Sequence, residues 1–164
     1  MTYTSQHIAN YFFRRSKEEG KPLTMLKLVY IAYGWVIALT GEKLFGDKIE
    51  AWLHDPVTLL LYHEFKHFGK SAIDERSVIL NLDSFDHVEP EVLSKDTETL
   101  QTLDKVWQGY GQFSGWDLRN KTHAHGTPWE KVYDDAERNM TIPDDSIAEH
   151  GFGAWICPIV IRSP

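Results

Sequence analysis

From Thr24 to Leu39 the chain is apolar on nearly every face of a helix, with Leu28, Val29, Ile31, Tyr33, Trp35, Val36 and Leu39 leaving no polar stripe. A helix at the surface of a globular protein opposes a polar face to its apolar one, so a helix without a polar face must be wrapped by the rest of the chain. The pattern therefore predicts a second helix, capped by Thr24, at the centre of the core. Every other segment is then constrained to supply a covering face. With 164 residues, one domain spanning 1–164 is expected, long enough to bury about two thirds of the surface its unfolded form exposes. No stretch reaches the roughly eighteen apolar residues of a membrane span, residues 28–39 being short and interrupted by Gly34.

The covering segments are punctuated as helices. Thr4 or Ser5 can cap a first helix with Ile8, Ala9, Phe12 and Phe13 on one side, stopping near Gly20 before Lys21 and Pro22 break the chain. Residues 44–52 are less periodic and suit a loop or a short strand. Asp55 followed by Pro56 has the form of a helix start, which predicts a third helix over residues 57–68 closed by Gly69. Val78, Leu80 and Leu82 alternate as in a short strand. Ser94 can cap a helix bearing Leu100, Leu103, Val106, Trp107 and Tyr110, ending near Gly109 or Gly111. Ser114 with Asp117, and Thr127 with Glu130, match capping boxes, the second with Pro128 at the first helical position. A last helix is expected after Pro143, where Asp144 and Asp145 suit a positive N-terminus. The fold class is mainly α: a single-domain helical bundle around a buried helix at about residues 24–39, with room for a small β element.

Composition removes several function classes. Seventeen Lys and Arg against 24 Asp and Glu leave a net charge of −7, the wrong sign for a phosphate backbone, and Arg14, Arg15 and Lys17 run directly into Glu18 and Glu19. Nucleic acid is not an expected partner. Cys157 is the sole cysteine, so no intramolecular disulfide can form. The first fifteen residues also lack the basic start, apolar run and cleavage site of a secretory signal. These features place the chain in the cytoplasm.

The most conspicuous chemical pattern is His63, Glu64 and His67, formally the spacing in which two imidazoles one turn apart hold zinc beside a glutamate base. A helical wheel puts Val57, Leu61, Phe65 and Phe68 on one face and turns His63 and His67 away from it, towards solvent or a partner. The extended zinc pattern asks for Gly and His at positions 70 and 73, which are Lys70 and Ile73. There is no nucleophile elbow and no Gly-rich phosphate loop, and Cys157 lies in an apolar tail. No catalytic residue and no cofactor is assigned, and Trp35 and Trp107, in apolar helical stripes, are expected in the core.

Leu26, Lys27 and Leu28 with Tyr30, Ala32, Tyr33, Gly34 and Trp35 form a first block. Ala51, Trp52, Pro56, Val57, Tyr62, Phe65 and Gly69 follow, then Leu118, Thr122, His123, Pro128 and Trp129. In this order and spacing the chain resembles the Panacea antitoxin-domain family, which includes phage-associated proteins, over about residues 5–150. The resemblance implies a mostly helical domain, not an enzyme, that neutralises a toxin encoded beside it by direct protein contact, in a toxin-antitoxin system. Two departures stand out. Asp55 occupies a position where the family usually has glycine before its Pro-Val pair, and the end of the chain turns through Gly151, Phe152 and Gly153 into a divergent apolar tail over residues 151–164.

The residues expected to contact a toxin are His54, Asp55, His63, His67, His123, Trp129 and Trp155, on a hydrophobic patch with a charged rim. The β-branched run from Trp155 to Ile161 must be covered. It can pack on this domain as an edge strand, or add to a toxin or to a second copy in a homo-oligomer, with Pro158 limiting it to edge pairing. Two alternatives compete with the antitoxin: a zinc hydrolase using His63, Glu64 and His67, which requires bound metal, and a DNA-binding regulatory module, which requires salt-dependent affinity for promoter DNA.

Overall fold

Proline, not threonine, starts the central helix. In the computed structural model, which describes residues 3–53 and 55–156, α2 spans Pro22–Thr40 with Lys21 as its N-terminal cap, so Thr24 lies inside the helix. A first-turn proline costs nothing because its missing N–H has no partner there in any case. The helix ends at Gly41, whose φ of +74° lets its N–H reach back to the Ile37 carbonyl. Leu28, Val29, Tyr30, Ile31 and Ala32 are completely buried, covered by α1 (Ser5–Arg15), α4 (Thr97–Tyr110), α5 (Gly115–His123) and α7 (Asp144–His150). The fold is mainly α, as the all-round apolar pattern predicts. With nineteen residues, α2 is longer than that pattern implied and is, by length and composition, apolar enough to cross a bilayer. Here its neighbours bury it, and a completely buried helix has the same composition as a spanning one.

The first helix stops at Arg15 rather than near Gly20. Ser16 caps it, and Lys17 and Glu18 then adopt left-handed backbone with φ of 57° and 62°. Gly20 serves space instead of termination, since a Cβ there would fall 2.6 Å from Met25 Cε.

The largest departure from expectation is at Asp55 and Pro56, which turn a hairpin instead of opening a helix. β1 (Ile49–Ala51) pairs antiparallel with β2 (Pro56–Thr58), closed by mutual backbone hydrogen bonds between Trp52 and Asp55 of 2.9 and 3.2 Å. Pro56 begins an edge strand, a position that tolerates its missing donor. α3 therefore starts later, as Leu59–Phe65, and tightens into a 3-10 turn, Lys66–Phe68, before Gly69 at φ +59°. A second hairpin joins β3 (Ile79–Leu80) to β4 (His87–Val88), with most of its apolar side chains exposed.

Asp96, not Ser94, caps α4 by accepting from the Thr99 N–H, and Gly109 lies within the helix while Gly111 follows its end. Both halves of the Ser114 and Asp117 capping box form. At α6 (Pro128–Val132) Thr127 accepts from the Glu130 N–H, but the Glu130 carboxylate reaches past the cap to the Gly126 N–H and His125. β5 (Met140–Thr141) completes a three-stranded antiparallel sheet in the order β2-β1-β5, and α7 follows Pro143 as expected.

After α7 the chain kinks through Phe152 and Gly153, with φ of 47° and 87°, within a short helical segment, Gly151–Ile156. Trp155 and Ile156 thus lie in that segment and not in a strand. The side chain of Trp155, with residues 157–164 including Cys157 and Pro158, is outside the described residues. Phe152 is buried over Gly34 in the middle of α2, and its carbonyl accepts from both Trp35 Nε1 at 2.9 Å and the Tyr110 hydroxyl.

Candidate partner-binding groove

A lysine in a helix that is otherwise apolar all round must find a counter-charge, because an isolated buried ammonium is too costly to keep. Lys27 is only 1% exposed, and its ammonium lies 3.0 Å from Asp55 and donates to the Pro56 carbonyl at 2.9 Å. Arg119 of α5 approaches the same Asp55 oxygen at 3.4 Å. Desolvation draws the Lys27 pKa down to about 8, while the Asp55 charge opposes that fall. The carboxylate that resembles a helix cap in sequence is thus the bond between central helix, hairpin turn and α5. It also explains why β1 and β2 turn where they do.

Above this ion pair the surface opens into a groove of about 410 Å³ between the start of α2, the residue 52–55 turn and α3. Its walls carry Leu26, Trp52, Leu53, Val57, Tyr62 and Phe65. The Trp52 and Tyr62 rings meet edge to face at 4.6 Å, and Trp52 Nε1 donates to Glu50 at 2.8 Å. Leu53 is 58% exposed at the mouth. Beyond Arg119 the indole of Trp116, 63% exposed, takes the guanidinium over its ring at 4.9 Å. Apolar walls that include the Trp52 indole, over a charged floor, make a surface suited to side chains of another protein. The Lys27 amine itself is engaged and enclosed, so it ties the fold together and does not present a nucleophile.

The residues expected to make contacts are dispersed. Asp55 sits on the groove floor. His63 and His67 are exposed on the outer side of α3 and the 3-10 turn, away from the core as the helical wheel requires, while Glu64 accepts from the Gln6 side chain at 2.9 Å. Among the described residues no group of three or more His, Cys, Asp or Glu is placed to hold a metal. Trp129 is buried, donating from Nε1 to the Trp52 carbonyl at 2.7 Å and stacking on Tyr133 at 4.8 Å, so it braces the turn behind the groove. His123 packs on that indole at 4.3 Å. His54 lies outside the described residues. Lys27 and Arg119 were missed as site residues. A lone charge in an all-apolar helix was a usable signal for the first; for Arg119 the sequence carried none.

Comparison with known proteins adds a family. The family model described as "Antitoxin SocA-like, Panacea domain" matches residues 25–130, which run from α2 into α6 and include most of the groove. A curated relative, "Antitoxin SocA" of Caulobacter vibrioides, is 27% identical over 142 residues, covering 85% of this chain and 69% of the relative. No solved structure matches. With the central helix, the groove and its bracing tryptophan all within or at the border of the matched span, the chain belongs to the SocA-like antitoxin family and carries its Panacea domain.

Proposed function

We propose that this protein is the antitoxin of a toxin-antitoxin pair, acting in the cytoplasm and neutralising a protein toxin from an adjacent gene by binding it directly and blocking it sterically. It catalyses no reaction in this role. The observation that carries the proposal, beside the family, is the groove between α2, the residue 52–55 turn and α3, whose walls include Leu26, Trp52, Val57, Tyr62 and Phe65. The groove takes an apolar side chain of the toxin, with Leu53 at its mouth as a further contact.

The test induces the neighbouring reading frame in a bacterial host with and without this protein. Growth arrest relieved by co-expression, with a complex recovered on purification, is expected. Leu53→Asp, at an exposed position, should leave the melting temperature unchanged and weaken protection at least tenfold. A harmless neighbour, or arrest that persists with this protein present, would remove the proposal.

A further inference from the structure

Five of the eight large apolar side chains exposed among the described residues, Val78, Leu80, Leu82, Phe85 and Val88, crowd into the β3–β4 hairpin. Clustering of this kind, unlike scattered surface leucines, marks an interaction site. A two-stranded hairpin is marginal in water by itself, so this one must be held in place from its base. It is. The buried Asn10 side chain donates to the Ser77 carbonyl at 3.0 Å and the Pro90 carbonyl at 3.1 Å, and accepts from the Ser77 N–H at 2.8 Å, clamping both legs of the hairpin to α1. Arg76 adds ion pairs to Glu89 at 2.9 Å and to Glu18.

The tip is equally defined. Asn81 Oδ1 accepts from the Asp83 and Ser84 N–H groups at 2.9 and 3.2 Å, and the Phe85 N–H returns to the Asn81 carbonyl at 2.8 Å. Phe85 adopts φ of +59°, a backbone region that bulky side chains avoid, yet its ring is 75% exposed and Leu82 beside it 76%. Burial in this fold therefore does not reward the strained turn.

Charge selects the occupant. Residues 74–91 hold six carboxylates and one guanidinium; Glu89 and Glu91 are paired with Arg76 and Arg14, which leaves the tip of this apolar arm acidic through Asp83 and Asp86. Among the described residues no ion pair reaches Asp83 or Asp86 at the tip. Docking of two copies through this arm would set these carboxylates against their own equivalents, which is unfavourable.

We propose that the residue 77–90 hairpin is a preorganised docking arm for a basic polypeptide, whose apolar side chains cover Leu80, Leu82 and Phe85 while flanking Lys or Arg face Asp83 and Asp86. This surface is built from elements other than the groove, and the proposal does not depend on the antitoxin function.

A displayed library of random dodecapeptides tests it directly. The library is selected on the full chain, with Leu82→Ser/Phe85→Gly as the counter-target. Glycine suits the left-handed turn, and both side chains are exposed, so this variant should melt no lower than the wild type. Selected peptides should combine Lys or Arg with aromatic or aliphatic residues, lose at least tenfold affinity on the variant, and lose severalfold on Asp83→Asn/Asp86→Asn and at high salt. Selected peptides that bind the variants equally, or that lack basic residues, would overturn the proposal. So would a wild-type dimer in light scattering that Leu82→Ser/Phe85→Gly dissolves, since the arm would then be a self-contact.

Discussion

Gly34→Ala should destabilise this protein, although alanine is the better helix former. A Cβ built at Gly34 lies 2.5 Å from Phe152 Cδ2 and 2.9 Å from Cε2, so the ring must leave its place against α2. Phe152 is 5% exposed and meets Tyr30 edge to face at 5.0 Å. Losing a buried phenyl ring costs about 3–5 kcal/mol. The Phe152 carbonyl would also release Trp35 and Tyr110, at about 1 kcal/mol for each hydrogen bond. Against this stands a gain of about 1 kcal/mol in helix propensity. Partial accommodation of the ring leaves a net loss of about 2–4 kcal/mol. The sign reverses once the ring is gone: in a Phe152→Ala background, Gly34→Ala meets an emptied site and should stabilise by up to about 1 kcal/mol. Urea unfolding of the wild type, both single variants and the double variant, followed by tryptophan fluorescence, measures this cycle. If Gly34→Ala has the same effect in both backgrounds, or stabilises the wild type, the Phe152 socket is not what glycine preserves.

Two further outcomes concern the groove floor. Lys27 titrates at about 8 in the folded protein and near its ordinary value of 10.5 when unfolded, so between these values the unfolded chain binds more protons and stability rises with pH. Tyrosines that burial holds above their ordinary value lower stability over the same range, so the Lys27 contribution is the wild-type change from pH 8 to 9.5 minus that of Lys27→Met, expected at about 1.5 kcal/mol in urea unfolding. Asp55→Asn strands the buried ammonium and should cost about 3–5 kcal/mol, much of it recovered in the Lys27→Met/Asp55→Asn double variant. Equal losses in the single and double variants would mean that the ion pair does not couple the helix to the turn.

What was legible in the sequence is what hydrogen bonds and periodicity decide within a few residues. The apolar circumference of α2 announced a central helix. The caps at Ser114 and Thr127 located the starts of α5 and α6, and the wheel of α3 turned His63 and His67 outward. The resemblance likewise rested on the order of local residues and led to the family.

Asp55 and Pro56 were ambiguous because a first-turn proline and an edge-strand proline obey the same rule of a dispensable N–H. The choice fell to Lys27, whose ammonium occupies the Pro56 carbonyl and pairs with the carboxylate that would otherwise have capped a helix. In the same way Gly34, which looked like an interruption of the apolar run, is a socket for a ring more than a hundred residues away, and Asn10 holds both legs of a hairpin some seventy positions on. The sequence by itself thus determined a helical domain built around one buried helix, and the family to which it belongs. Only the tertiary structure decided the hairpin at Asp55, the groove above Lys27 and the exposed arm. Each depends on a buried charge, a close contact or an amide clamp between distant segments, and such partners exist only once the chain has packed.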